Sequence, residues 1–234
     1  MAAIDHIRAF YREQAGLYQR LVARQDYQRQ LIAALTEISP LAGRVVEFGA
    51  GTGNLTGALL ERAARVYAFD IERAMLVEAR AQLRDKDLRN WSLVAADNGR
   101  MPLPANCADL AIEGWSFNHA LDWQPNAWRE LVDQLLAEMQ RVLKPGGVAI
   151  LIEDLGIGRT QPQAPSADVA RLYNHWQERH GFQHRWIRSD YQFASPSEAS
   201  ELAGMFFGAT LAEQCLRSPQ ITLPECTGIW WKRF

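Results

Sequence analysis

Cysteine is scarce in this 234-residue chain, with only Cys107, Cys215 and Cys226. The number is odd and none of the three forms a Cys-x-x-Cys pair. That argues against a disulfide framework or a zinc knuckle and fits a reducing cytoplasm. Long apolar runs are missing as well. The longest, Val148 to Ile152, falls far short of the ~20 residues a membrane span needs. Residues 1–8 break their apolar run with charges at once, unlike a signal peptide. Charge of one sign is not in excess either. The formal net charge of −2 supplies no global positive field for a phosphate backbone, which disfavours nucleic acid as a partner. No repeat, heptad or low-complexity stretch is visible, so no oligomeric state is read from the chain.

What is present is the composition of an ordinary globular protein, 48% hydrophobic and 22% charged, at a length suited to one α/β domain. Residues 1–38 carry apolar positions near 3–4 spacing, including Ile7, Phe10, Leu21 and Leu35, which predicts helix. The period then changes. A short β-branched run at 44–48 and strand-like segments at 66–70, 91–95, 108–113 and 148–153 alternate with helical patterns at 54–65, 73–84 and 128–143, which predicts βαβ units and a parallel sheet. Beyond 153 the spacing predicts helix over 167–179 and 197–207, and strands over 184–193 and 228–232.

The most informative segment is Glu47-Phe48-Gly49-Ala50-Gly51-Thr52-Gly53-Asn54, a strand end closed by three alternate glycines before a helix. Glycine serves where backbone takes positive φ or must touch a ligand with no Cβ in the way. A phosphate loop needs a lysine after its glycines, and none follows. A dinucleotide loop needs G-x-G-x-x-G. Asn54 and Thr56 stand where the third glycine belongs in the two registers, which disfavours a nicotinamide oxidoreductase. What remains is acid-x-G-x-G-x-G. Asp70 ends the next strand, and an acid about 20 residues past a glycine loop is placed to accept from a ribose diol.

This segment resembles motif I of the class I S-adenosylmethionine-dependent methyltransferases. Asp70-Ile71, Ala96-Asp97-Asn98, Met101-Pro102-Leu103-Pro104, Asp109-Leu110 and Arg141-Val142-Leu143-Lys144-Pro145-Gly146-Gly147 follow that family's order. The resemblance implies an α/β, doubly wound, Rossmann-like sheet of seven mostly parallel strands, with an antiparallel last strand and helices on both faces. It implies one domain over 1–234: a helical cap at 1–38, a cofactor-binding core at 44–153, and substrate-side and C-terminal strands at 154–234. It implies S-adenosyl-L-methionine as cofactor, with Glu47 facing the methionine ammonium. Gly49, Ala50, Gly51 and Gly53 would form its cradle, Asp70 hold the ribose, Ile71 and Met75 flank the adenine, and Asp97 and Asn98 meet its edge. Glu113 would end the fourth strand beside the methyl-transfer loop, and Tyr18, Arg24 and Tyr27 are candidates for the methionine carboxylate.

Catalytic candidates are few, because the cofactor carries the chemistry. His119 follows the fourth strand, and Glu153 and Asp154 end the fifth; each is a candidate base. Trp115, Trp176 and Trp186 are candidates for a pocket wall or for core. His175, His180 and His184 lack an accompanying cysteine or paired acid, so no metal is expected. A small-molecule acceptor is the expectation. A methyltransferase of the same fold acting on nucleic acid or protein, and a non-catalytic S-adenosylmethionine-binding protein, stay open as alternatives.

Overall fold

The computed structural model describes residues 9, 11–217 and 221–234; the helix expected over Ile7 and Phe10 lies outside them. Two helices, α1 (Ala15–Val22) and α2 (Gln30–Ile38), precede an alternating series. It runs β1 (Arg44–Phe48), α3 (Asn54–Leu59), β2 (Arg65–Asp70), α4 (Arg73–Arg84), β3 (Trp91–Ala95) and β4 (Ala108–Gly114). A 3₁₀ turn (Phe117–His119) leads into α5 (Ala120–Trp123), then α6 (Trp128–Val142) and β5 (Leu143–Ile157). The remainder is α7 (Ala167–Asn174), β6 (Gln183–Arg188), β7 (Tyr191–Gln192), α8 (Pro196–Phe207), α9 (Ala209–Arg217), β8 (Thr222–Leu223) and β9 (Glu225–Arg233).

Seven strands form one sheet in the order β3-β2-β1-β4-β5-β9-β6. The first five pair in parallel, while β9 enters antiparallel between β5 and β6. The central strands read as continuous apolar runs because both faces are covered. Along β5, Ala149 and Leu151 pack with Leu136, Met139 and Trp176 on one face. Val148, Ile150 and Ile152 pack with Leu35, Leu59 and Leu83 on the other. A third cluster joins Leu21 of α1 to Tyr191, Phe193 and Leu202 and seats the first helix against the C-terminal third.

Several elements depart from expectation for local reasons. The helix after the glycine loop ends at Leu59 rather than residue 65. The strand expected over 184–193 divides at Ser189-Asp190, where Asp190 accepts two hydrogen bonds from Arg188 at 2.8 and 2.6 Å. The helix expected over 167–179 becomes a π-turn over His175–Arg179. Helix α9 was not anticipated, since Gly208 at φ 93° breaks the pattern before it. No helix among the described residues is long and apolar enough to cross a membrane.

Candidate functional site

Strand order reverses between β1 and β4, and an open α/β sheet leaves a crevice outside the carboxyl ends of its strands at such a switch point. The glycine loop forms one wall of it. Gly49 and Ala50 N–H groups donate to the Phe69 carbonyl at 2.9 and 2.8 Å, tying the loop to β2. Gly49 has φ 76°, and a Cβ there would lie 2.6 Å from the Ser116 Cβ. Gly51 has φ 52° and faces open space, its nearest neighbours being Tyr18 and Met75 at 3.7 and 3.8 Å. Gly53 abuts Ala79 of α4 instead.

The cleft has two lobes meeting at Tyr18, Gly51 and Trp115. The larger, about 610 Å³, is bordered by Asp70, Ile71, Glu72, Met75 and Asn98 at one end and by Tyr11, Ser116, His119 and Trp123 at the other. The smaller, about 360 Å³, holds Glu47, Ala50, Thr52 and Gln25. Among the described residues, no lysine or arginine lines either lobe. Among the described residues, four polar atoms of lining residues are buried without a hydrogen-bond partner: Thr52 Oγ1, Asn98 Oδ1 and the indole Nε1 atoms of Trp115 and Trp123. Buried polar groups are normally satisfied, so unpartnered ones around a crevice mark a place for a ligand. Trp115 also sits at φ 55°, a strained conformation for a bulky residue of the kind that clusters at functional sites.

Carboxylates dominate the electrostatics. Burial pushes Glu47 up to about 8, although the Thr56 hydroxyl donates to it at 2.6 Å. Burial also raises Asp70, offset by N–H groups of Glu72 and Gly51 that donate to its two oxygens at 2.8 Å each. Two further acids lie beneath the cleft, both fully buried. Glu113, pushed up to about 7 by burial, accepts from the N–H groups of Ser116 and Phe117 at 3.1 and 3.3 Å. Glu153, raised by burial and by Glu113 beside it, accepts from Asn118 N–H at 3.0 Å. Together they anchor the loop that presents His119. That ring stacks on Trp123 at 5.6 Å and meets the Tyr11 hydroxyl at 3.4 Å, and burial lowers its pKa.

The fold thus brings Tyr18, Glu47, Gly49, Ala50, Gly51, Asp70, Ile71, Met75, Asn98, Trp115 and His119 to one cleft. Others lie elsewhere. Asp97 is exposed, its carboxylate accepting from Gly99 N–H at 2.7 Å. Tyr27 is 40% exposed and accepts from Gln28, and Arg24 is paired with Glu198 at 2.8 Å. Glu113 and Glu153 support the cleft floor without lining it. Trp176 is core, and Trp186 stands half-exposed on β6. Tyr11, Glu72 and Trp123 line the larger lobe unanticipated. Tyr11 reads as one more apolar position of a helix, and nothing in the sequence ties Trp123 to the glycine loop.

Comparison with known proteins bears on the same segment. A family described as a methyltransferase domain matches residues 46–151, the stretch from β1 to β5 that builds this cleft. That stretch is a little under half of the chain. An uncharacterized methyltransferase of Geobacillus sp. (strain WCH70) is 32% identical over 142 residues, 58% of this chain and 62% of the relative. The ubiquinone/menaquinone biosynthesis C-methyltransferase UbiE of Burkholderia mallei is 29% identical over 154 residues, 59% of each chain. The chain thus spans about three-fifths of the length of these curated relatives. A crystal structure of an S-adenosylmethionine-dependent methyltransferase from Aquifex aeolicus aligns with a TM-score of 0.53 at 18% identity, covering 85% of this chain and 87% of that one, which establishes the shared fold. The family match ends at residue 151. The segments contributing Tyr11, Tyr18 and the C-terminal third therefore lie outside it.

Proposed function

We propose that the chain binds S-adenosylmethionine in the two-lobed cleft and methylates a small molecule at its aromatic end. The observation that carries this reading is the pairing of a left-handed glycine loop with Glu47 and Asp70 in a cleft that, among the described residues, no lysine or arginine lines. The carboxylates of Glu47, Asp70 and Glu72 would repel a pyrophosphate, whereas they favour a ligand carrying an ammonium and a sulfonium. Within this reading Glu47 holds the ammonium in the smaller lobe and Asp70 takes the ribose diol. Ile71 and Met75 flank the adenine, and Asn98, with its unpartnered Oδ1, lies at its edge. When bound, the cofactor supplies a methyl group already activated by its sulfonium.

The chain's own contribution is orientation, dryness and a proton acceptor. The wall of Tyr11, Trp115, His119 and Trp123 suits a planar acceptor, and the free indole N–H groups suit one bearing oxygen. His119 is the favoured base because it lines the cleft and burial keeps its imidazole neutral. Glu153 acts instead as a positioning residue through Asn118. A small acceptor also accords with the UbiE relative, whose name places it in quinone biosynthesis. The three free cysteines suit a reducing compartment such as the cytoplasm.

Calorimetric titration tests the reading. S-adenosylmethionine and S-adenosylhomocysteine are expected to bind at one per chain, and NAD not at all. Saturable binding of NAD, or no binding of either adenosyl ligand, would overturn it.

A further inference from the structure

Far along the chain from the glycine loop, α6 and the π-turn after α7 bring three metal-type ligands to one point. Asp133 Oδ1 lies 2.7 Å from His175 Nε2 and 2.6 Å from His180 Nε2. The three ligand atoms lie within 4.8 Å of one another, and the imidazole centroids are 4.9 Å apart. Their side chains are 11%, 23% and 44% exposed for His175, His180 and Asp133, so the point is sheltered but open to solvent. We propose that Asp133, His175 and His180 form a binding site for one first-row divalent transition-metal ion such as zinc.

The backbone explains the convergence. In an α-helix, residues five apart point about 140° away from each other. Here the helix widens, and His180 N–H donates to the His175 carbonyl at 3.3 Å, the five-residue bond of a π-turn. That widening puts both imidazoles on the side facing α6. Each partner is rigidly mounted. Val132 and Leu136 flank Asp133 in the core, and Trp176, between the histidines, is fully buried. Ligands held by packed elements bind with little ordering cost.

The donor set is chemically specific. Two imidazole nitrogens and one carboxylate oxygen suit zinc, nickel, cobalt or ferrous iron, and not magnesium or calcium. With zinc 2.0–2.1 Å from each ligand, tetrahedral ligand atoms stand about 3.3 Å apart. The present 2.6–2.7 Å contacts then need to open by about 0.6 Å, within reach of the partly exposed Asp133 side chain. The remaining positions go to water. An ion there clasps the end of α7 to α6.

The test uses the full chain, dialysed against chelator and titrated calorimetrically with zinc chloride, with magnesium chloride as control. One zinc per chain is expected, with no response to magnesium, and a higher melting temperature in zinc. Asp133→Asn and His180→Asn, each checked for native circular dichroism, are expected to weaken zinc binding by about tenfold or more and to abolish the thermal shift. Absence of stoichiometric zinc uptake overturns the proposal. So does uptake that both variants retain, since the ion would then reside elsewhere, for instance on a cysteine.

Discussion

Glu47 turns the cofactor reading into a proton count. Its carboxyl is fully buried and pushed up to about 8, so at pH 7 about nine-tenths of free protein molecules carry it neutral. An ammonium against it favours the carboxylate and drives the proton off. Binding at pH 7 is therefore expected to release about 0.9 proton from this group, falling to about 0.1 at pH 9. Affinity should rise about tenfold per pH unit below pH 7 and flatten as pH passes 8. The count is read by titrating S-adenosylmethionine at pH 7 into protein in phosphate and in Tris, whose heats of ionisation differ. The slope of observed heat against buffer heat gives the protons released. Glu47→Gln keeps the shape and an acceptor for Thr56 but cannot titrate. Other raised acids, such as Glu113 at about 7, are present in both proteins and cancel in the difference. Equal release by wild type and variant, or none by wild type, would refute the ammonium assignment.

Other outcomes follow from the same geometry. Glu47 and Glu113 have folded pKa values above their unfolded ones, so the stability they confer is lost as pH rises through about 7 to 8. Between pH 6.5 and 8 the free protein should lose stability, read as a falling Tm by calorimetry; a Tm that holds or rises would contradict the burial of these acids. Gly51→Ala should cost about 1–2 kcal/mol of stability from its left-handed φ, and about 10–100-fold in S-adenosylmethionine affinity because its Cβ enters the cleft. Unchanged affinity in the folded variant would remove that glycine from the ligand's path. His119→Ala should slow methyl transfer by about a hundredfold at unchanged cofactor affinity, measured with an acceptor found by screening; an unaffected rate would exclude it as the base.

The sheet was legible wherever the apolar period and its punctuation agreed. Arg73–Arg84 and Trp91–Ala95 match expectation residue for residue, because a polar run, Asp85-Lys86-Asp87 to Asn90, separates a helical apolar spacing from a short apolar segment that ends at Asp97. The cofactor half of the cleft was legible for a related reason: Glu47, Gly51 and Asp70 sit on one βαβ unit, close in sequence. The acceptor half was not. Tyr11 meets His119 across 108 residues, and no local pattern encodes such a meeting. The histidines show the same limit. Sequence spacing offered His184 as their companion, yet it stacks on Trp230, while Asp133 arrives from 42 residues upstream of His175. The π-turn that aligns His175 with His180 has no composition signal distinguishing it from ordinary helix.

The position of β9 governs how the chain can be made. Strands β2 to β5 can each join a neighbour already synthesised, but the far edge of β5 and the whole of β6 wait for the strand that separates them. During translation the apolar flank of β5 stays bare until residues 225–233 emerge, and bare strand flanks pair with copies of themselves. A chain interrupted after residue 224 would hold an intact glycine loop and yet be driven into aggregates. Completion of this protein's sheet is a single late event rather than a gradual one.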